Sequence, residues 1–311
     1  MKILVLGAGG IGGVVGGRLL QNGADVSFVV REGRKKQLAK EGLRVESPFG
    51  DLHLQVNALL ESELRPEFDL VIIACKAYDL DAAIDTIRHG VSSATAILPL
   101  LNGLKHLDRL NQVFGKERVL GGSAKMQVVL SSNGTVRQLN EWQTLTFGEQ
   151  DGSVTPRVTL LRDLVRKTGI EAVLSTDIHR DMWLKMVHLA TVAGMTCLMR
   201  ANVGEIVRTP EGSELLKKFL HTNAGISAYF GFRPDDKFMD NYLALFSDSA
   251  SLYEASMARD LEKGGRIESE HILGDMLKRC RDAGLPDTLH AVAYTHLKAY
   301  EQRRDAARLP A

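Results

Sequence analysis

The sequence predicts an α/β fold, in which an N-terminal Rossmann-type domain with a mainly parallel sheet is followed by an all-α C-terminal domain. Short β-branched runs alternate with helical patterns through the first half of the chain, which is typical of βαβ units. From about residue 176, long helical patterns continue almost to the end. We therefore place a Rossmann-type domain at 1–175 and a helical domain at 176–311.

The strands of the first domain are predicted from short apolar runs that suit a sheet buried on both faces. These runs are 3–6, 26–30, 69–75 and 96–101. Residues 118–148 resemble a small strand-rich extension with a turn at 131–134, and 172–174 is expected to add a last strand. No low-complexity linker separates the two predicted domains.

Composition excludes several classes of function. The formal net charge is +1 and charges of both signs are mixed, so neither nucleic acid nor a membrane is an expected partner. The three cysteines show no CxxC spacing, and the first residues lack the pattern of a signal peptide. No run of ~20 continuous apolar residues suggests a membrane span. We therefore expect a cytoplasmic protein; its oligomeric state is open, with a homodimer as one option.

A glycine-rich element follows the first predicted strand and precedes a helix. It comprises Gly7, Ala8, Gly9, Gly10, Ile11 and Gly12, in the GxGxxG pattern. Glycines at these positions permit a tight turn, close approach of the backbone to a pyrophosphate, and packing of the helix on the strand. Unpaired N–H groups at the helix start attract the anion. The element predicts a dinucleotide site.

The residue after the second strand distinguishes between the two nicotinamide dinucleotides. NAD-binding proteins usually place a carboxylate there, whereas this chain has Arg31, followed by Arg34, Lys35 and Lys36. A guanidinium suits a 2′-phosphate, so the cofactor is predicted to be NADP(H). One or two of the three later cations are expected to form only a solvated helix face.

Lys185 is the candidate catalytic residue, because it lies in a helix that is apolar on nearly every side. A desolvated amine has a lowered pKa and can protonate a ketone oxygen; the alternative is an ammonium that extends to solvent. The Ser256 hydroxyl can hold a substrate carboxylate, and the Glu268 carboxylate can orient the hydroxyl or the amine; the alternative for each is a structural role. His188 is interpreted as a core histidine, and no metal site is predicted because no ligand spacing appears.

Together these residues resemble the ketopantoate reductase (2-dehydropantoate 2-reductase) family along essentially the whole chain. The resemblance rests on the order and spacing of short motifs, which are 7–12, Arg31, 75–77, 101–103, 147–149, 183–185, 204–205, 256–260, 265–268 and 284–286.

The resemblance implies NADPH-dependent reduction of a 2-oxo acid, 2-dehydropantoate to D-pantoate, in pantothenate biosynthesis. It also implies that Lys76 and Asn102 contact the cofactor, with Asn102 also near the substrate. Lys185 would be the general acid and Ser256 would bind substrate. Glu268 would lie where cofactor and substrate meet.

Three positions depart from the family pattern. Asparagines expected four and eight residues after the lysine, and one before the Gly-Glu pair, are Leu189, Ala193 and Val203 here. Fewer polar groups should favour a less hydroxylated substrate. A reductase of a more apolar 2-oxo acid and a non-catalytic dinucleotide-binding regulator are therefore the alternative hypotheses.

Overall fold

The structure is a computed structural model that describes residues 1–309. The chain forms two compact units, Met1–Met182 and a second that begins at Trp183. This division falls within a long helix, whereas the sequence-based boundary at 175 lies just before that helix.

Twelve strands are assigned within residues 1–309, all of them in the first unit. In chain order they are β1 (Lys2–Leu6), β2 (Asp25–Val29), β3 (Leu43–Glu46), β4 (Leu52–Leu54), β5 (Asn57–Leu59), β6 (Leu70–Ile73), β7 (Ala96–Pro99), β8 (Gly121–Lys125), β9 (Val128–Leu130), β10 (Val136–Gln138), β11 (Thr144–Gly148) and β12 (Glu171–Leu174).

The α-helices of the described residues flank the sheets of the first unit and build the second. In chain order they are α1 (Gly10–Gln21), α2 (Glu32–Glu41), α3 (Leu80–Ile87), α4 (Lys105–Phe114), α5 (Pro156–Arg166), α6 (Ile178–Met199), α7 (Val203–Val207), α8 (Gly212–Tyr229), α9 (Asp236–Leu245), α10 (Ser256–Glu262), α11 (Asp275–Asp282) and α12 (Thr288–Asp305).

The main sheet of the first unit is fully parallel, with the strand order β5-β2-β1-β6-β7. Its central strand is buried on both faces, because Ile3, Leu4 and Val5 are all inaccessible to solvent. This burial explains why the strand is a continuous apolar run rather than an alternating one. The strand order reverses direction at β1, between β2 and β6, which is the switch point where Rossmann sheets bind ligands. The predicted fold class is confirmed.

Two smaller sheets complete this unit. One has the order β12-β11-β8 and the other β4-β3-β10-β9. Val119 pairs with Ile97 of β7, so the chain extends the parallel sheet before it enters β8. The strand-rich character expected for 118–148 is thus present as β8 to β11. The sequence analysis did not identify β3, β4 or β5, which are only three or four residues long.

Helix α6 is the longest helix within residues 1–309. Buried polar groups join it to α8 and α12. The Thr191 hydroxyl accepts from Asn223 Nδ2 at 3.0 Å, and Asn223 Oδ1 lies 2.9 Å from His290 Nε2. All three residues are fully buried, so α6, α8 and α12 are joined by a hydrogen-bonded chain inside the core. Thr191 therefore faces this core.

Helix α6 is also long and apolar enough to span a membrane by length and composition, although 67% of its most apolar window is buried in the protein. The sequence analysis identified no such segment. Core helices of globular proteins pass the same test, and Lys185 interrupts the apolar run.

Candidate active site

The glycine turn joins the carboxyl end of β1 to α1. Gly7 has φ +92°, a conformation that favours glycine, and its N–H donates to Val29 O at 3.0 Å. A Cβ atom on Gly12 would lie 2.2 Å from Gly7 O, so only a hydrogen fits there. These two glycines let α1 start directly against the end of the strand. The turn therefore follows from local sequence, as predicted.

The start of α1 has the features of an anion-binding site. Within the described residues no side chain caps the helix at Gly9, and its first turn contains no acidic residue. The first N–H groups of a helix lack internal partners and carry the positive end of the helix dipole. A Cβ on Gly9 would have Leu130 Cδ2 as its nearest neighbour, at 3.9 Å, so the backbone is open to close approach. These residues fit the pyrophosphate of a dinucleotide.

Two alanine substitutions separate cofactor binding from folding. Gly9→Ala is expected to leave the melting temperature unchanged, because the new methyl group meets no protein atom closer than 3.9 Å. It should weaken dinucleotide binding by roughly tenfold, since the methyl group obstructs the pyrophosphate. Gly12→Ala should lower the melting temperature as well, because Gly7 O must shift. Calorimetry and dinucleotide titration measure both effects; equal behaviour of the two variants would contradict this account.

The basic residues after β2 differ in what they bind. Arg34 donates to the carbonyl oxygens of Ala8 and Gly134 at 2.7 and 2.9 Å. Lys35 pairs with Glu63, and Lys36 pairs with Glu32 at 2.7 Å. Arg31 is exposed, and no acidic group within residues 1–309 forms an ion pair with it. Arg31 is therefore the cation of this group that remains available for a phosphate.

Lys76 and Asn102 follow two further strands at the same edge of the sheet. Lys76 comes after β6, where it precedes a 3₁₀ turn at Ala77–Asp79, and Asn102 comes after β7. Both side chains are partly buried. Because β1, β2, β6 and β7 are parallel, their carboxyl ends bring the glycine turn, Arg31, Lys76 and Asn102 to one edge.

Lys185 lies in α6 among buried apolar residues, with Met182 3% exposed, Met186 1% and Val187 0%. Part of its side chain is accessible, but the surrounding protein desolvates the amine and lowers its pKa from 10.5 to about 8. The negative charge of Glu268 raises the pKa and so opposes part of this effect. Lys185 is thus an acid that can exchange its proton near neutral pH.

Glu268 is 3% exposed and lies two residues before an unusual helical turn. A π-helical turn, Glu270–Gly274, runs into α11, and Glu268 O accepts from Ile272 N at 3.2 Å. π-Helical turns often occur at functional sites. The structure brings Glu268 within electrostatic reach of Lys185.

Ser256 is the first residue of α10 and is partly buried. The preceding residue, Ala255, has its N–H directed at the Thr196 hydroxyl of α6, at 3.4 Å. The start of α10 is thereby attached to the helix that carries Lys185.

The three positions that depart from the family pattern have different environments. Leu189, one turn after Lys185, is partly exposed, whereas Ala193 and Val203 are fully buried. Leu189 is therefore the only one of the three departures with an accessible side chain.

His188 Nε2 lies 2.9 Å from Tyr253 Oη, and its ring stacks on Tyr242 with centroids 4.5 Å apart.

Two features of the dinucleotide region escaped the sequence analysis. Strand β9 lies against the glycine turn: a Cβ on Gly10 would be 3.5 Å from Val128 O. Arg34 bonds to the turn itself. Neither contact has a local sequence signal, although a cation in the first turn of α2 is a reason to consider Arg34.

Among residues 1–309 no group of three or more His, Cys, Asp or Glu side chains is placed to hold a metal ion.

Comparison with known proteins identifies relatives over nearly the whole chain. Residues 3–152 match the family model described as ketopantoate reductase PanE/ApbA, and residues 177–301 match that of its C-terminal part. The uncharacterized oxidoreductase YkpB of Bacillus subtilis (strain 168) is 31% identical over 304 residues, covering 98% of this chain and 100% of the relative. A 2-dehydropantoate 2-reductase of Archaeoglobus fulgidus is 28% identical over 284 residues, covering 91% of this chain and 92% of the relative.

Solved structures share the fold. The 2-dehydropantoate 2-reductase of Geobacter metallireducens GS-15 superposes with a TM-score of 0.87 at 27% identity, covering 96% of this chain and 99% of that one. A D-mandelate dehydrogenase solved with NADH and anilino(oxo)acetate has a TM-score of 0.88 at 22% identity, covering 98% and 100%, which is a likeness of fold. Together with the family matches, these results show that the chain belongs to the ketopantoate reductase family of pyridine-nucleotide-dependent oxidoreductases.

Proposed function

We propose that this enzyme reduces a 2-oxo acid to a 2-hydroxy acid with NADPH. The observation that carries the proposal is Lys185, a desolvated amine with a pKa of about 8 that is electrostatically coupled to buried Glu268. When bound, the dinucleotide supplies a hydride to the carbonyl carbon. The Lys185 ammonium donates a proton to the carbonyl oxygen, and Glu268 favours the ammonium form that makes this donation.

NADPH is proposed rather than NADH because Arg31 is exposed where Rossmann proteins read the 2′ position of the adenosine ribose. Neighbouring Lys35 and Lys36 are paired with glutamates. Lys76 and Asn102 are proposed to contact the cofactor from the same edge of the sheet. Asn102 and Ser256 are proposed to hold the substrate, each through a neutral polar group.

The named substrate is 2-dehydropantoate, with D-pantoate as product, which would place the enzyme in pantothenate biosynthesis. Its support is the family membership together with the 2-dehydropantoate 2-reductase activity named for the relatives from Archaeoglobus fulgidus and Geobacter metallireducens. A more apolar 2-oxo acid is the second candidate. It is favoured by Leu189, whose partly exposed apolar side chain lies one turn from Lys185 where the family pattern has an asparagine. A regulator without chemistry would have no need of a desolvated lysine.

A substrate panel separates these candidates. NADPH oxidation is measured with 2-dehydropantoate, 2-oxoisovalerate and phenylglyoxylate. The proposal predicts turnover of at least one, and the highest kcat/KM identifies the substrate class. Leu189→Asn should shift the kcat/KM ratio toward 2-dehydropantoate by roughly tenfold or more, because an apolar substrate would desolvate the new amide without pairing it, which costs free energy. Absence of turnover with every 2-oxo acid tested would favour the regulator.

We further propose a cytoplasmic location, since no disulfide joins Cys75, Cys197 and Cys280, as expected in a reducing compartment. A homodimer is the proposed assembly, by analogy with a structural neighbour described as a dimeric ketopantoate reductase from Staphylococcus aureus. Sedimentation analysis of the purified protein tests that assembly.

A further inference from the structure

One arginine holds the outer side of the glycine turn. Arg34 lies in the first turn of α2 and is partly buried. Its Nη2 and Nε atoms both donate to Ala8 O, at 2.7 and 3.2 Å. Its Nη1 atom donates to Gly134 O at 2.9 Å and to Gln37 Oε1 at 2.7 Å. A single guanidinium therefore joins α2, the glycine turn and the turn between β9 and β10.

The bond to Ala8 controls the direction of a neighbouring donor. Ala8 C=O and Gly9 N–H belong to one planar trans peptide unit, so the two groups point in opposite directions. Fixing the carbonyl on Arg34 therefore fixes the direction of the Gly9 N–H. Within residues 1–309 no acceptor receives this N–H. It is one of the donors at the start of α1 that remain available for a bound anion.

A second contact holds the arginine in place. Gln37 accepts from Arg34 and donates from Nε2 to Asn133 O at 2.8 Å. Gly134 has φ +83°, and a Cβ there would lie 2.2 Å from Gln37 Nε2. The β9–β10 turn thus rests directly on the Arg34–Gln37 pair, so that the guanidinium is fixed by partners on both sides.

The two arginines near β2 differ in their contacts. The Arg34 guanidinium donates to two main-chain carbonyls and to Gln37 Oε1, whereas Arg31 is exposed. We propose that Arg34 is a positioning residue that holds the glycine turn in the geometry that binds the pyrophosphate common to NADPH and NADH. Arg31 reads only the 2′-phosphate. This inference rests on the proposed dinucleotide binding and adds a residue that acts on it through Ala8.

The test compares affinities for both dinucleotides. Kd values for NADPH and NADH are measured by nucleotide fluorescence with the wild-type enzyme, Arg34→Met and Arg34→Lys. Both variants should weaken the binding of NADPH and of NADH by the same factor, roughly tenfold, because neither side chain can donate two hydrogen bonds to the one carbonyl oxygen. Gln37→Leu should produce a smaller loss of the same kind. Lys40→Met, on an exposed lysine of the same helix, is the matched control and should bind as wild type.

Kinetics distinguish positioning from a general loss of structure. Arg34→Met should raise KM for the dinucleotide while kcat at saturation stays unchanged, whereas partial unfolding would lower kcat through a smaller active fraction. Unchanged affinities would overturn the inference, and so would a loss confined to NADPH, which would mean that Arg34 touches the 2′-phosphate. If Arg34→Met does not fold, Arg34→Lys and Gln37→Leu carry the same test. Failure of the wild-type enzyme to bind either dinucleotide would instead reject the proposed function.

Discussion

Lys185→Met is expected to lower kcat for 2-oxo acid reduction by roughly 10²–10⁴-fold, the usual contribution of a general acid. Methionine is close to lysine in length and suits the apolar surroundings of α6, where Met182 and Met186 are already buried. The helix should therefore keep its packing. Dinucleotide affinity should stay at the wild-type value, because the glycine turn belongs to the first unit. Steady-state kinetics and nucleotide titration measure the two quantities.

The matched control for this variant is Lys218→Met, which removes an exposed lysine from α8 in the same unit. It should retain wild-type kcat and melting temperature, since exposed substitutions usually have small effects. If Lys185→Met retained most of the wild-type kcat, another group would have to protonate the ketone oxygen. Loss of dinucleotide binding together with turnover would indicate a structural role for the lysine.

Arg31→Asp is expected to weaken NADPH binding by roughly 10²-fold while NADH binding is kept or improved. The guanidinium can form charge-assisted hydrogen bonds to a 2′-phosphate, and a carboxylate in its place would repel that phosphate. The same carboxylate can accept from the 2′-hydroxyl of NADH. Because Arg31 is exposed and has no ion-pair partner among the described residues, its loss should not affect folding. The ratio of kcat/KM for the two dinucleotides measures the effect.

Lys40→Asp is the control for that charge reversal, since Lys40 is exposed near the other end of α2. It changes the net charge equally but should leave the dinucleotide preference unchanged. A preference for NADPH that survives Arg31→Asp would show that a different group reads the 2′ position.

The dinucleotide turn and the main strands could be predicted because their signals are local. Gly7 and Gly12 are needed by the backbone of one turn, and buried parallel strands read as continuous apolar runs. The apolar surroundings of Lys185 could be inferred from the pattern of its own helix. Short strands such as β4 and β5 could not, because three residues carry too little pattern to distinguish a strand from a loop.

The remaining site features depend on contacts between distant segments. In the sequence, Arg34 is one of several cations on a predicted helix. Only the fold shows that it donates a hydrogen bond to the Ala8 carbonyl oxygen. Likewise, the influence of Glu268 on Lys185 arises when the segment before α11 packs near α6. The different environments of Leu189 and Ala193 also appear only in the folded helix, although both were identified from sequence as departures.

The most direct test of the proposed chemistry is the pH dependence of kcat/KM for reduction by the wild-type enzyme. The reaction needs the Lys185 ammonium, whose pKa is lowered to about 8 by desolvation. The rate should therefore be constant at lower pH and fall above about pH 8, approaching a tenfold loss per pH unit. Oxidation of the 2-hydroxy acid needs the neutral amine and should rise through the same pKa. A reduction rate that stays constant well above pH 8 would contradict the assignment of Lys185 as the acid.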